Sequence, residues 1–271
     1  VPTVTNLTNI SVCGGSLTNA ISFAGTGNQF VWNNSNPGIG LVTSGSVNIP
    51  SFSAINNTSL DVTGTINVTP QYISSGVICP GTSLPFDITV HPTPLVGTIF
   101  DQSICNATSF SESLTSSVSA IFEWSAISNP NVTGEVFLTQ TSSTISNTLT
   151  NTTTSIQNVQ YSVNAISVPF GCVGPDSLFT VSVVPDVILN IPSTIEICSG
   201  ASVSAFLDAN VPSNFTWFTT IDNPNITGES LTQNTGSVIN DVLVNTSSTN
   251  QLVIYAVTPT SQLASCIGTT Q

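Results

Sequence analysis

The chain has 271 residues, no Lys, Arg or Met, 13 acidic side chains and a formal net charge of −13. Because it has no basic side chain to neutralise phosphates, nucleic-acid binding and attraction to anionic membrane surfaces are excluded as expected functions. Charged residues make up 5% and hydrophobic residues 39%, which is typical of a folded β protein rather than a disordered tail.

The first 92 residues predict short strands separated by turns. These strands are expected at 3–12, 17–23, 28–32, 45–52, 60–70 and 86–90. The last of them, Phe86 to Val90, alternates apolar and polar residues with a period of two. His91 and Pro92 follow and predict a short, stiff linker, since proline cannot continue strand pairing. No segment has a helical period, so we expect very little helix.

The same plan recurs twice along the chain. Each copy has a first cysteine, a tryptophan 19 residues later and a second cysteine near its end. These residues are Cys13, Trp32 and Cys79; Cys105, Trp124 and Cys172; and Cys198, Trp217 and Cys266. A self-similar period of this length predicts three tandem domains, 1–92, 93–185 and 186–271, which we call repeats 1, 2 and 3.

Each repeat predicts an all-β, immunoglobulin-like sandwich. About seven short strands per 90 residues, with a tryptophan in the third, match that architecture. We therefore expect Trp32, Trp124 and Trp217 to be core residues rather than sugar-stacking platforms. Repeat 3 ends at Gln271, before the position that corresponds to Phe86 and Phe179, so we expect it to lack its final strand.

A set of short motifs gives the repeats a family resemblance. They read Phe-x-Trp, Asn-Pro-Asn-x-Thr-Gly, Tyr-x-Val-x-Pro, Cys-x-Gly and Phe-x-Val-x-Val-x-Pro. Four of them occur in repeat 2, beginning at Phe122, Asn129, Cys172 and Phe179, and Tyr-x-Val-x-Pro begins at Tyr255 in repeat 3, with Tyr161 as its counterpart in repeat 2. The whole chain resembles PKD-like repeats, which form tandem modules in giant surface proteins of Bacteroidota, including gliding-motility adhesins exported by the type 9 secretion system.

The resemblance implies a structural stalk segment of a large, extracellular, cell-surface adhesin or filament, with a role in adhesion or gliding motility. Its partners are expected to be neighbouring repeats of the same larger chain and an unknown surface ligand or the secretion and motility machinery. Repeat 1 departs from the pattern, because Gly38-Ile39-Gly40 replaces Asn-x-Thr-Gly and Ile66 replaces the motif tyrosine. Two alternatives stay open: a glycan- or protein-binding module, for which Tyr72 and Phe218 are the candidate exposed aromatics, and a strand-swapping, pilin-like subunit.

Catalysis, cofactors and metal sites are not expected. The single histidine, His91, lies beside a predicted linker with no evident partner, and a hydrolytic triad needs a base near its nucleophile. The recurring acids Glu135 and Glu229 follow a Thr-Gly loop that repeat 1 lacks, and no run of clustered carboxylates suits calcium. Asp101 and Asp186 lie near repeat boundaries, where we expect solvated surface acids.

Many Asn-x-Ser/Thr sequons occur, as expected by chance in a chain rich in these residues. They begin at Asn6, Asn9, Asn33, Asn56, Asn57, Asn67, Asn106, Asn131, Asn151, Asn214, Asn225 and Asn245. No apolar run approaches the length of a membrane-spanning helix. The sequence has no signal peptide, so we expect a mature or internal piece of a protein.

Six cysteines without a C-x-x-C pair predict disulfides in an oxidising compartment. A bond inside each repeat, such as Cys13 with Cys79, is the common arrangement. However, the first turn and the last turn lie at opposite ends of such a sandwich, whereas a disulfide needs Cα atoms within about 7 Å. Head-to-tail stacking favours the inter-repeat pairs. These are Cys13 with Cys172 and Cys105 with Cys266, leaving Cys79 and Cys198 to pair outside this stretch.

Overall fold

The structure is a computed structural model that describes residues 1–5 and 7–271. It is all-β, with tandem immunoglobulin-like sandwiches, as predicted. Among the described residues, a single 3₁₀ turn at Pro37–Ile39 is the only helical element. The expectation of very little helix is therefore confirmed.

Repeat 1 is built around one six-stranded sheet. Its strands are β1 Val4–Thr5, β2 Ile10–Cys13, β3 Ala24–Gly25, β4 Gln29–Asn34, β5 Ser44–Ser46, β6 Val62–Ser74, β7 Val77–Pro80 and β8 Leu84–His91. The main strand order is β2-β8-β6-β4-β5, and the sixth strand of the sheet, β7, pairs with the C-terminal part of β6. Strand β2 runs parallel to β8, and the other pairs in this sheet are antiparallel.

Repeat 2 has two clear sheets. Its strands are β9 Gln102–Cys105, β10 Thr108–Ser113, β11 Ala120–Ile127, β12 Val132–Thr133, β13 Thr144–Asn151, β14 Gln157–Ser167 and β15 Ser177–Val184. One sheet has the order β11-β14-β15-β9 and the other has the order β10-β13-β12. Strand β9 is parallel to β15, as β2 is to β8 in repeat 1.

Repeat 3 has shorter strands and smaller sheets. Its strands are β16 Ala205–Phe206, β17 Ser213–Thr219, β18 Ile226–Thr227, β19 Asn234–Thr235, β20 Val238–Ile239, β21 Val244–Asn245 and β22 Tyr255–Ser261. The sheets have the orders β19-β17-β22, β16-β20 and β18-β21.

The core of each repeat follows from strand alternation. In β6, for example, Ile66 and Val68 are fully buried while the residues between them face outward. The three tryptophans, Trp32, Trp124 and Trp217, are 5%, 5% and 6% exposed and belong to the core clusters of repeats 1, 2 and 3. Each tryptophan thus contributes its large apolar area to the space between the sheets.

Among the described residues of repeat 3, β22 is the last strand, and residues 262–271 end where the strand equivalent to β15 begins. Gln271 forms two backbone hydrogen bonds with Val257, at 2.7 and 3.0 Å, in the position that Ser177 takes opposite Val163 in repeat 2. Gln271 therefore occupies the place where the strand equivalent to β15 begins. One consequence is a thinner core, since Val159 is fully buried but its counterpart Val253 is partly exposed.

Two predicted strands of repeat 1 are wrong. Residues 17–23 form only isolated bridges, Leu17 to Ser53 and Ile21 to Ile49, and residues 45–52 contribute little more than the end of β5. The hydroxyl of Thr18 explains part of the difference, because it accepts from the Phe52 N–H at 3.0 Å and donates to the Phe52 carbonyl at 3.1 Å. Such side-chain bonds compete with a regular ladder.

Candidate functional site

Four of the six cysteines lie at the two boundaries between repeats. Cys13 is bonded to Cys172, and Cys105 is bonded to Cys266, each with a Cα–Cα distance of 5.5 Å. Both bonds join the first cysteine of one repeat to the second cysteine of the next. We call the two boundaries junction 1 and junction 2.

Equivalent elements position the cysteines at both junctions. Cys13 ends β2 opposite the last residue of β8, and Cys105 ends β9 opposite the last residue of β15. The partner cysteine lies in the turn after β14 or β22. There, the Cys172 N–H donates to the Ser167 hydroxyl at 3.0 Å, and the Cys266 N–H donates to that of Ser261 at the same distance. The first turn of one repeat therefore faces the last turn of the next.

Junction 1 also contains an aromatic contact. The ring of His91 stacks on Phe170 of repeat 2, with centroids 3.5 Å apart and planes 10° from parallel. His91 is 4% exposed, its Nδ1 lies 2.8 Å from Asp61 Oδ1, and its Nε2 is buried without a hydrogen-bond partner. The expectation of a linker histidine without a partner is wrong, because pairing with Cys13 extends β8 through this residue.

Backbone contacts hold the short linker at junction 1. The Gly14 N–H donates to the His91 carbonyl at 2.9 Å, and the Thr93 hydroxyl donates to the Gly14 carbonyl at 2.6 Å. A Cβ at Gly174 of repeat 2 would lie 2.1 Å from the carbonyl oxygen of Pro94. Only glycine fits at that close approach, which gives the glycine of the Cys-x-Gly motif a structural role.

Junction 2 is apolar instead of aromatic. Val184, Val187 and Val211 form a buried cluster with Cys266, and Cys105 packs against it. The Asn210 amide, from repeat 3, donates across the boundary to the Thr154 carbonyl of repeat 2 at 2.9 Å. It also donates to the carbonyl of Asp186, the first residue of repeat 3, at 3.0 Å. Both junctions thus combine a disulfide with noncovalent contacts.

The remaining two cysteines are exposed thiols at opposite poles of the array. Cys79 lies in β7, on the last-turn pole of repeat 1, beside Tyr72 in an open cleft of about 510 Å³. Cys198 lies on the first-turn pole of repeat 3, in an exposed segment without strand structure. They are the counterparts of the cysteines that bond at the junctions.

The recurring Asn-Pro-Asn motif closes a loop in repeat 2. The Asn129 side chain accepts from the Asn131 N–H at 3.0 Å and donates to the Asn158 carbonyl at 3.0 Å. The Glu135 carboxylate accepts from the Asn129 N–H at 3.0 Å, and the amides of both asparagines donate to Gln157 at 3.3 Å. Repeat 3 makes the same bonds through Asn223, Asn225, Glu229, Gln251 and Leu252. The motif and its glutamate therefore have structural roles.

Some sequons are also structural. Asn151 is 4% exposed, and its side-chain nitrogen donates to the Ser155 carbonyl at 2.8 Å and to the Val183 carbonyl at 2.9 Å. Its oxygen accepts from the N–H and hydroxyl of Thr153, both at 2.9 Å. Similar loops form at Asn56 and Asn245. The glycan-accepting nitrogen is thus occupied at these three asparagines in the folded chain; the sequon at Asn6 lies outside the described residues.

Burial shifts the pKa values of a motif glutamate and of the two motif tyrosines, Tyr161 and Tyr255. Burial raises the pKa of Glu135, and burial together with the Glu135 charge raises the pKa of Tyr161. In repeat 3, Tyr255 donates to Asp241 at 2.8 Å, and burial, followed by that hydrogen bond, raises the pKa of Tyr255. In repeat 2, Asn147 occupies the position that corresponds to Asp241. The Tyr161 hydroxyl of that repeat is buried without a hydrogen-bond partner. Both tyrosines are therefore neutral at physiological pH.

No cluster of metal-ligating side chains is found among the residues described. In residues 1–5 and 7–271, no group of three or more His, Cys, Asp or Glu side chains could hold a metal ion. Asp101 accepts the Thr180 N–H at 2.7 Å, which is a structural bond. Of the candidate ligand-binding aromatics, Tyr72 is 51% and Phe218 38% exposed. No helix in the described part of the chain is long and apolar enough to cross a membrane.

Comparisons with known proteins agree with this architecture. The family model described as "PKD-like domain" matches residues 102–187 and 195–271. No curated protein sequence is significantly similar to the chain.

Several solved multidomain structures are similar over almost the whole chain. An I-band fragment of titin is 11% identical, covers 99% of this chain and 97% of that chain, and has a TM-score of 0.42. The human desmocollin-1 ectodomain is 12% identical, with coverages of 100% and 57% and a TM-score of 0.35. The cadherin domains EC22–24 of mouse cadherin-23 are 9% identical, with coverages of 99% and 96% and a TM-score of 0.36.

Proposed function

The chain belongs to the PKD-like domain family, and on that premise we propose that it is a structural, non-catalytic stalk segment of a large secreted cell-surface adhesin or filament. The repeat boundaries in this proposal are those predicted from the sequence, 1–92, 93–185 and 186–271. The observation that supports it best is that each junction carries a disulfide between neighbouring repeats. A covalent bond at each boundary limits the bending that a short linker alone permits.

We propose that the same pairing continues at both poles. Cys79 bonds a first-turn cysteine of another repeat, and Cys198 bonds a last-turn cysteine of another repeat. Each bond forms when two thiols lose two protons and two electrons to an oxidant such as a small-molecule disulfide, which is reduced to two thiols. Exposure of both thiols and the repeated use of their counterparts support this arrangement.

The proposed setting is the extracellular surface of a bacterium. Support comes from the disulfides, which persist in oxidising compartments, and from the sequence resemblance to Bacteroidota surface repeats. Export by the type 9 secretion system and a role in gliding motility are part of this proposal. The stalk holds an adhesive partner away from the cell, and its own contacts are with neighbouring repeats.

Small-angle scattering of the oxidised chain tests the stalk. One sandwich contributes roughly 35–45 Å, from strands of about ten residues that rise 3.3 Å each plus the loops at the two ends. Three repeats in line therefore give a maximum dimension on the order of 120 Å. A compact particle, with a maximum dimension near that of one globular domain of this mass, contradicts the proposal.

A second measurement tests the covalent locking separately. The test variant has Cys13, Cys172, Cys105 and Cys266 replaced by alanine and therefore lacks both bonds. Its scattering is expected to show a broader distribution of interatomic distances, because the junctions then bend more freely. Identical distributions in the two proteins would show that the disulfides do not stiffen the array.

A further inference from the structure

Two pairs of parallel strands lead to the junctions. In repeat 1, β2 runs parallel to β8, and Cys13 lies opposite His91 where both strands end at junction 1. In repeat 2, β9 runs parallel to β15, and Cys105 lies opposite Val184 where both strands end at junction 2. Each pair therefore runs along the array in one direction and ends at one junction.

The two disulfides join these strands into two covalent paths. Path A follows β2 to Cys13, crosses junction 1 through the disulfide to Cys172, and continues along β15 and the backbone into repeat 3. Path B follows β8, crosses junction 1 by the backbone to β9, and crosses junction 2 through the disulfide from Cys105 to Cys266. Path A thus comprises residues 10–13 and 172–198, and path B comprises residues 84–105 and 266–271.

The number of residues in each path leaves little slack. From Cys172 to Val184, path A has about 12 residue steps, which give roughly 40 Å at 3.3 Å per residue. From Pro92 to Cys105, path B has about 13 steps, which give roughly 43 Å. One sandwich is itself roughly 35–45 Å long. Because an extended chain cannot exceed about 3.6 Å per residue, each path can lengthen by only a few ångströms in each repeat.

The other strands of each repeat form side loops that connect one path to the other. In repeat 2, residues 106–171 leave path B at Cys105, contain β10 to β14, and reach path A at Cys172. They include Trp124 and most members of the core cluster of that repeat. A pull along either path bypasses these residues, so it does not draw their chain out of the sandwich.

A parallel ladder holds the two paths together in repeats 1 and 2. Strand β8 is paired on both edges in the sheet of repeat 1, and β15 is paired on both edges in repeat 2. Their inward side chains, such as Ile88 and Val181, are fully buried. Because the paired strands point the same way, a pull on both paths moves them together and does not slide one past the other.

We propose that the chain bears tensile load along these two paths, so that a pull along either path is carried by covalent bonds and no repeat unfolds. This goes beyond the stalk function, where the disulfides limit bending. It uses only the bonds of Cys13 with Cys172 and of Cys105 with Cys266. The bonds proposed for Cys79 and Cys198 are not required. Scattering tests the stalk and pulling tests the paths, so either proposal can fail alone.

Single-molecule pulling along path A is the test. One handle is a tag fused before Val1 and the other is attached to the exposed Cys198 thiol, in a chain with Cys79→Ser so that one thiol reacts. The covalent route between the handles has about 40 residues and cannot exceed about 145 Å. From a folded length on the order of 120 Å, we expect less than about 30 Å of extension and no unfolding step.

Removing the disulfide on the pulled path is expected to release the repeats. With Cys13→Ala and Cys172→Ala, the shortest covalent route between the same handles grows by about 130 residues, which is roughly 450 Å. That length should appear in steps with force peaks as folded repeats open. The matched control, Cys105→Ala with Cys266→Ala, removes the disulfide of path B and is expected to extend no further than the chain with both bonds.

Pulling along path B should reverse the two results. The handles are then the Cys79 thiol and a tag after Gln271, in a chain with Cys198→Ser. Here Cys105→Ala with Cys266→Ala is expected to release about 450 Å, whereas Cys13→Ala with Cys172→Ala is expected to release none.

A reductant added during the pull tests the same point without alanine substitutions, so that a folding defect cannot imitate the result. Along path A, cleavage of the loaded disulfide should release at least about 450 Å. Unfolding steps in the oxidised chain with both bonds, equal release from the two alanine variants in one geometry, or no release after reduction overturns the proposal.

Discussion

Removing the bond at junction 1 is expected to uncouple the first two repeats. The change is the double substitution Cys13→Ala and Cys172→Ala. Both residues are replaced so that no single thiol is left to exchange with Cys79. Alanine is preferred to serine because Cys172 is fully buried, and a hydroxyl there would need a hydrogen-bond partner.

The size of the effect follows from the length of chain that the bond closes. The cysteines are 159 residues apart, and the chain-entropy relation gives about 5 kcal/mol for a loop of that length. If repeat 1 stays folded, the flexible loop from Thr93 to Cys172 has about 80 residues, which gives about 4.5 kcal/mol. Measured values usually fall below the entropic ones, so we expect a loss of about 2–4 kcal/mol in the free energy of unfolding.

Urea unfolding without reductant, followed by tryptophan fluorescence, measures this loss. The control is the double substitution Cys79→Ser and Cys198→Ser, which removes exposed unbonded thiols and is expected to change the free energy by less than about 0.5 kcal/mol. An unchanged midpoint in the junction variant, with its disulfide at junction 2 intact, would refute the reasoning. In that case the contacts of His91 and Phe170 would hold the junction without covalent help.

Three further outcomes are expected. In oxidised glutathione, the Cys79→Ser chain and the Cys198→Ser chain should each stay monomeric on non-reducing gels and should form disulfide-bonded dimers only when the two are mixed. The reason is that the proposed pairing joins a last-turn cysteine, such as Cys79, to a first-turn cysteine, such as Cys198. Disulfide-bonded homodimers of either variant contradict the proposal. Phe170→Ala should lower the free energy of unfolding in urea by about 1 kcal/mol through the lost aromatic stack, and an unchanged value means the stack contributes nothing. Because burial raises the pKa of Glu135, folding gains stability as the pH falls through that pKa and loses it as the pH rises. Glu135→Gln should flatten this part of the stability–pH curve between pH 7 and 4.5, whereas the exposed control Glu196→Gln should not.

The repeat period carries most of the fold information. Cysteines and tryptophans at fixed spacing predict three sandwiches, and the strand order places Cys13 and Cys172 at poles that face each other when the repeats stack. In the structure their Cα atoms are 5.5 Å apart.

Contacts between distant segments were not predictable from local pattern. His91 is followed by proline and was interpreted as a linker residue, yet β2, about 80 residues earlier, pairs with β8 and keeps this histidine in the strand. Its partner Phe170 lies in a turn of another repeat, where sequence spacing gives no signal. The structural role of Asn151 was not predictable for a different reason. Asn-x-Thr sequences are common by chance in a chain this rich in Asn and Thr, so the motif did not distinguish Asn151 from the other sequons.

The absence of Lys and Arg explains why covalent junctions suit this chain. If the thirteen acids are spread over the proposed rod, on the order of 120 Å long, they lie about 9 Å apart along its axis. That spacing is close to the Debye length of about 8 Å at physiological ionic strength, so mutual repulsion is largely screened and straightens the rod little. Ion pairs with lysine or arginine are also unavailable to hold the repeats together. Disulfides, the stacking of His91 on Phe170 and the apolar contacts of Val184 depend only weakly on salt, and together with the hydrogen bonds at each boundary they fix the junctions.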